Sequence, residues 1–208
     1  MSGSYRDPSN SEVKSINQIQ NDFFSGLIHV FDPPLPEGVL NRLEQIVATA
    51  QIKKGEYVLD VGSGTGVLIP LIDAYTPQAI YACDLSRTML DHLKERYPFV
   101  HIIAGDVRDI KFPTESVDIV FINASYPNIA DKKGAFTNIA RTMKPRGRLV
   151  ISHPMGKSFI DLLKERSPFP LDDFPERKDA ETLLEPYGFR IEQFVDESEL
   201  YFFLARKT

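Results

Sequence analysis

The sequence holds one cysteine, no apolar run of the roughly 18 or more residues that a membrane-spanning helix needs, and no surplus of basic charge. A lone Cys83 cannot form an intrachain disulfide. Its place inside the apolar run AIYACD predicts a buried thiol in a reducing compartment, not a catalytic one. The formal net charge of −5 argues against a protein that grips nucleic acid mainly through its phosphates. KPRGR, at 144–148, is the densest basic cluster and reads as a solvated turn. The first fifteen residues, MSGSYRDPSNSEVKS, are polar and lack the apolar stretch of a secretory signal. These absences lead to the expectation of a soluble, cytoplasmic protein with no nucleic-acid partner.

A chain of 208 residues with 42% hydrophobic and 25% charged residues can bury one sizeable core. The expected organisation is a flexible arm over 1–16 and a single domain over 17–208, with 17–50 as an N-terminal helical cap. In the cap, Leu40, Leu43, Ile46 and Val47 recur at helical spacing. Beyond it YVLDV, AIYACD, VHIIAGD, VDIVFIN and RLVISH read as buried strands, separated by segments of helical periodicity except between VHIIAGD and VDIVFIN. FRIEQFVDE and ELYFFLARK are joined too tightly for a crossover and predict an antiparallel hairpin. The predicted fold is therefore α/β: a seven-stranded, mostly parallel sheet covered on both faces, with that hairpin at its C-terminal end.

VLDVGSGTGVL, over 58–68, places a glycine-rich turn where the first strand feeds the carboxyl edge of such a sheet. Gly62 and Gly64 allow a sharp turn and close approach to a ligand, Ser63 lies between them, and Gly66 lets the following helix pack closely. The dinucleotide fingerprint G-x-G-x-x-G is not met, because the third glycine comes one residue early. Asp60, just before the loop, would repel a phosphate but favour an ammonium or sulfonium group. Asp84 ends the second strand where a carboxylate can accept both hydroxyls of a ribose, and Leu85 can cover one face of a purine. Asp106, in AGDV after the third strand, can accept from an exocyclic amine, and adenosine fits these positions.

VLDVGSGTGVL, CDLSRTML, AGDVRDIKFPTESVDIVFINAS and NIARTMKPRGRLVISHP together resemble the class I S-adenosylmethionine-dependent methyltransferases, in particular the small-molecule group that methylates ubiquinone and menaquinone precursors. The resemblance covers roughly residues 36–206 and implies a Rossmann-like three-layer sandwich with S-adenosyl-L-methionine as cofactor. Position by position, it puts Asp60, Gly62 and Gly64 around the methionine moiety, Asp84 on the ribose, and Leu85 beside the adenine. Asp106 with Val107 would lie at the adenine edge and Asn123 at the methionine end. Where relatives often carry Lys-Pro-Gly-Gly, this chain has Lys144, Pro145, Arg146 and Gly147, one glycine short.

For the acceptor side, His153 ends the fifth strand, where an imidazole can remove a proton. Tyr126, in NASYPN, can orient an acceptor or be a loop aromatic with a solvated hydroxyl. The N-P-P-Y pattern of base methylation is not matched, since neither proline precedes the tyrosine. Phe23, Phe24, Leu27, Ile28, Val30 and Phe31 form either an apolar lid or simple packing, and no spacing suggests a metal site. The expected function is methyl transfer from S-adenosylmethionine to a small organic acceptor. Two alternatives stay open: a non-catalytic nucleoside-binding regulatory module, and an NAD-dependent oxidoreductase, against which stand the loop spacing and the lack of a Tyr-x-x-x-Lys pair near the fourth strand.

Overall fold

The structure is a computed structural model that describes residues 8–28 and 34–208. Among the described residues two helices, α1 (Asn10–Ser25) and α2 (Val39–Thr49), precede the sheet. Then follow β1 (Tyr57–Val61), α3 (Ile69–Asp73), β2 (Ala79–Asp84), α4 (Arg87–Arg96), β3 (His101–Ala104), β4 (Val117–Asn123), α5 (Lys132–Thr142) and β5 (Met143–His153). α6 (Phe159–Lys164), α7 (Arg177–Leu184), β6 (Phe189–Asp196) and β7 (Tyr201–Lys207) complete the chain. The sheet has seven strands in the order β3-β2-β1-β4-β5-β7-β6. The first five are parallel, and β7 runs antiparallel to both β5 and β6. The predicted α/β architecture and its terminal hairpin are both present.

Alternation of side chains along the strands divides the interior in two. Leu59, Val120, Ile122, Leu149 and Ile151 pack against α5 and α7 on one face. Val58, Ile119, Phe121 and Val150 meet α2, α3 and α4 on the other. Burial on both faces is why these strands read as unbroken apolar runs. From β1 the chain moves outward to β2 and β3, then returns to place β4 on the other side of β1. A crevice therefore opens at the carboxyl ends of β1 and β4, where crossovers depart in opposite directions.

Two expectations need correction. Residues 10–16, assigned to a flexible arm, are the first turns of α1. Ser9 and Glu12 form a reciprocal capping box there: Glu12 N donates to Ser9 Oγ at 3.3 Å, and Ser9 N donates to Glu12 Oε2 at 2.7 Å. KPRGR is not a solvated turn throughout. Arg148 is buried, donates to the carbonyls of Ala50 and Gln51 at 2.8 Å each, and pairs with Glu56. Its charge is thus satisfied by groups distant in sequence. Arg146, at the glycine position of the resembling motif, takes φ +64°, the left-handed region that disfavours a side chain.

Candidate functional site

Three carboxylates stand at or just beyond the ends of β1, β2 and β3. Asp84 accepts from Gly64 N at 2.9 Å through Oδ2 and from Ser86 N at 2.8 Å through Oδ1. It thereby ties the glycine loop to the N-terminus of α4, where Ser86 caps Met89 N. Burial raises the Asp84 pKa against the pull of these amide bonds. Asp60 is 2% exposed and makes no ion pair among the described residues. Burial first, and the nearby Asp84 charge second, raise its pKa from 3.8 to about 8. Its carboxyl group therefore keeps a proton at neutral pH unless a cation is brought beside it.

The glycines divide their work differently from expectation. A Cβ on Gly62 would lie 2.3 Å from Ser125 Cβ, so this missing side chain admits the loop after β4, not a ligand. Ser125 Oγ donates to Val61 O at 2.8 Å and closes the contact. Gly66 packs as predicted, since a Cβ there would meet Leu93 and Ile69 at about 3 Å. At Gly64 a Cβ would meet only Met89 Sδ, at 3.6 Å, so the loop stays open on that side. Ser63 Oγ is buried and has no hydrogen-bond partner among the described residues, an arrangement that leaves a donor in need of an acceptor.

Asp106 accepts from Arg108 N at 2.9 Å through Oδ1 and from Asn17 Nδ2 of α1 at 2.7 Å through Oδ2. Leu85 is half-buried beside Asp84. Val107 is buried in the core, its carbonyl held by Asn138 Nδ2 at 2.7 Å. At the other side of the crevice Asn123 Oδ1 accepts from Ser152 Oγ at 2.9 Å.

The two acceptor-side candidates lie on the opposite face from the glycine loop's helical neighbours, within one aromatic cluster. His153 is 3% exposed, and its ring lies 5.4 Å from that of Phe159 and 5.6 Å from that of Phe174. Burial lowers its pKa to about 4. Nδ1 accepts from Met155 N at 3.2 Å, so the neutral ring carries its proton on Nε2. A ring in this state presents an N–H donor, not the lone pair expected of a base. Tyr126 is not a solvated loop aromatic. It is buried, stacked on Phe174 at 5.6 Å with Lys132 Nζ 4.6 Å above its ring. Lys132, itself buried, pairs with Asp172, and Asp173 pairs with Lys164. Among the described residues no cluster of His, Cys, Asp or Glu is arranged to hold a metal ion.

Sequence reasoning put residues 17–25 of α1 in the helical cap and raised a lid beginning at Phe23, but it missed the first turns of α1 and its polar contacts with this site. The helix runs across the carboxyl edge, with Asn17 on Asp106, Ser25 Oγ 2.8 Å from Ser86 Oγ, and Gln20 Nε2 donating to Asn128 O at 2.7 Å. Phe23 and Phe24 meet Phe169 of the loop after α6, with ring centroids 5.6 and 5.7 Å apart. Val30 and Phe31 of the supposed lid lie outside the described residues. The signal that could have revealed α1 is the Ser-x-x-Glu pattern at 9–12.

A family model described as a methyltransferase domain matches residues 59–151, from β1 into β5. Over that stretch the chain is similar to methyltransferase domains. It is 37% identical over 141 residues to a demethylmenaquinone methyltransferase of Paenarthrobacter aurescens, covering 65% of this chain and 55% of that protein. The O-methyltransferase rstn1 of Aspergillus nomiae is 26% identical over 196 residues, covering 84% of this chain and 85% of the other. The chain spans about half the length of several curated methyltransferases it matches. Among solved folds, magnesium protoporphyrin IX methyltransferase from Synechocystis PCC 6803 with bound SAH superposes with a TM-score of 0.71 at 17% identity, covering 93% of this chain and 100% of that one. Among the described residues no helix is long and apolar enough to cross a membrane.

Proposed function

We propose that this chain transfers a methyl group from S-adenosylmethionine to a small organic acceptor. The observation that carries the reading is Asp60, a buried carboxylate beside the glycine loop with no cationic side chain paired to it among the described residues. Burying an unpaired acid is costly, and a cationic ligand removes the cost by letting the group ionise against an opposite charge. The rest of the site fits the same ligand. Asp84 accepts from backbone amides through both oxygens and keeps lone pairs for ribose hydroxyls. Ser63 Oγ offers an unused donor, and Gly64 leaves room for close approach.

When bound, S-adenosylmethionine supplies an electrophilic methyl group on a sulfonium, passed in line to a nucleophilic atom of the acceptor. The protein's part is alignment and exclusion of water. Asp60, Ser63 and Asn123 hold the methionine end, Asp84 and Leu85 hold the nucleoside, and Asp106 takes the adenine amine. The Phe23–Phe24–Phe169 contact closes the acceptor side with apolar rings. His153, neutral and protonated on Nε2, is suited to donate a hydrogen bond to an acceptor oxygen. An acceptor that needs deprotonation must then lose its proton to another group or to solvent. The name of the demethylmenaquinone methyltransferase relative supports a small-molecule acceptor.

Calorimetric titration with S-adenosylmethionine, S-adenosylhomocysteine and NAD tests the donor site. Binding of the first two, lost in Asp84→Ala, is the expected result, and binding of NAD alone would replace the reading with an oxidoreductase. If the donor binds but no acceptor in a broad panel is methylated, the chain is a nucleoside-binding module.

A further inference from the structure

The inward face of α1 carries Val13, Asn17, Gln20 and Phe24, spaced at three and four residues. Two of these four are carboxamides. A helix retained for packing alone would carry apolar groups there, because an amide turned inward costs free energy unless it is hydrogen-bonded. Both amides are bonded, and both to the carboxyl edge of the sheet: Asn17 to Asp106 after β3, Gln20 to the carbonyl of Asn128 after β4. Ser25 adds a third polar contact, to Ser86 after β2. A surface tied down by polar groups tolerates water when it lifts, and a ligand lying under it must be able to enter.

We propose that α1 is a lid over the donor site and that Asn17 reads the adenine edge jointly with Asp106. The inference rests on the donor reading above. Asn17 Nδ2 is spent on Asp106 Oδ2, while the amide oxygen of Asn17 makes no hydrogen bond among the described residues. An exocyclic amine has two N–H groups. Asp106 keeps lone pairs for one, and the Asn17 oxygen is an acceptor for the other, so the pair distinguishes an amine from an oxo group at that position. Closure of α1 is then coupled to occupancy, because the helix gains a bond only when adenine is beneath it.

The test compares wild type with Asn17→Leu, which keeps side-chain size and does not lower helix propensity, and with Gln18→Ala on the outward face. Binding of S-adenosylhomocysteine and of its inosine analogue, with oxo in place of the amine, is measured by calorimetry. Amide exchange across 10–25 is followed with and without S-adenosylhomocysteine. The expected result is an adenine affinity lowered about three- to tenfold in Asn17→Leu, as for loss of one hydrogen bond. Affinity for the inosine analogue changes little, Gln18→Ala behaves as wild type, and ligand slows exchange throughout α1 in wild type. Equal losses for both ligands would reduce Asn17 to a structural latch, and tighter binding would make it a competitor of the amine. Either result overturns the proposal, as does exchange in α1 that ignores the ligand. If wild type binds neither nucleoside, the donor reading itself fails, an outcome separate from these.

Discussion

α1 and α2 are neighbours in sequence and are attached to the sheet by different physics. α2 presents Val39, Leu43, Ile46 and Val47 to the apolar cluster beneath it, all buried. α1 buries only Val13 and Gln20, sets Phe23 and Phe24 against Phe169, and makes polar contacts along the crevice rim through Asn10, Asn17, Gln20 and Ser25. Apolar burial is worth about 25 cal/mol per Å² and has no cheap intermediate. A hydrogen bond exchanged for one to water nets about 1 kcal/mol. A helix meant to stay is attached the first way, and a helix that covers a ligand and must leave is attached the second way.

The comparison breaks first on stability. Leu43→Ala should destabilise the whole domain by about 3 kcal/mol, read as a lower midpoint in urea with the transition still cooperative. No single truncation on α1 should approach that value; one that did would show both helices to be core elements. The next effect concerns the carboxylate at the crevice floor. In the unfolded chain Asp60 ionises near 3.8, but in the folded chain only near 8. Below pH 4 it is protonated in both states and costs nothing. Between pH 4 and 8 the unfolded state alone loses the proton, so stability falls by up to about 1.4 kcal/mol per pH unit, levelling above 8. Asp60→Asn should remove that fall and be the more stable protein at pH 8, while binding S-adenosylmethionine more weakly. Identical pH–stability curves for the two proteins would show that Asp60 ionises freely.

Smaller effects sharpen the contrast. Ser9→Ala deletes the capping box and should cost about 1 kcal/mol, felt as faster amide exchange in the first turns of α1 and not in α2. Equal acceleration in both helices would mean that they unfold as one unit. As a control remote from the crevice, Arg146→Gly relieves a positive φ on an exposed side chain. It should raise stability by about 1 kcal/mol in thermal unfolding and leave α1 exchange unaltered.

What was legible in the sequence follows from the range of the forces involved. The parallel strands announce themselves because burial on both faces makes VDIVFIN and YVLDV apolar at most positions. The acids at the strand ends are visible because their meaning lies in position along the chain. Arg148 was misread because its partners, Ala50, Gln51 and Glu56, arrive from the far side of the fold, and nothing local to KPRGR encodes them. Tyr126 and His153 were placed at the right strand ends but in the wrong surroundings. Phe174, which flanks both rings, comes from a loop whose path has no sequence period to follow. The first turns of α1, residues 10–16, were hidden by composition: a helix start rich in serines and amides looks like a solvated arm until its cap is noticed.

Gly62 and Ser125 are a single mechanical joint. The hydroxyl of one sits in the space left by the missing side chain of the other and bonds the strand beside it. The loop after β1 and the loop after β4 therefore cannot shift independently, and any compound that displaces the second will be felt as strain in the first. For anyone redesigning the acceptor side of this protein, position 125 is a tuning screw on the donor loop: a bulkier residue there would push the glycine turn outward before it touched any substrate.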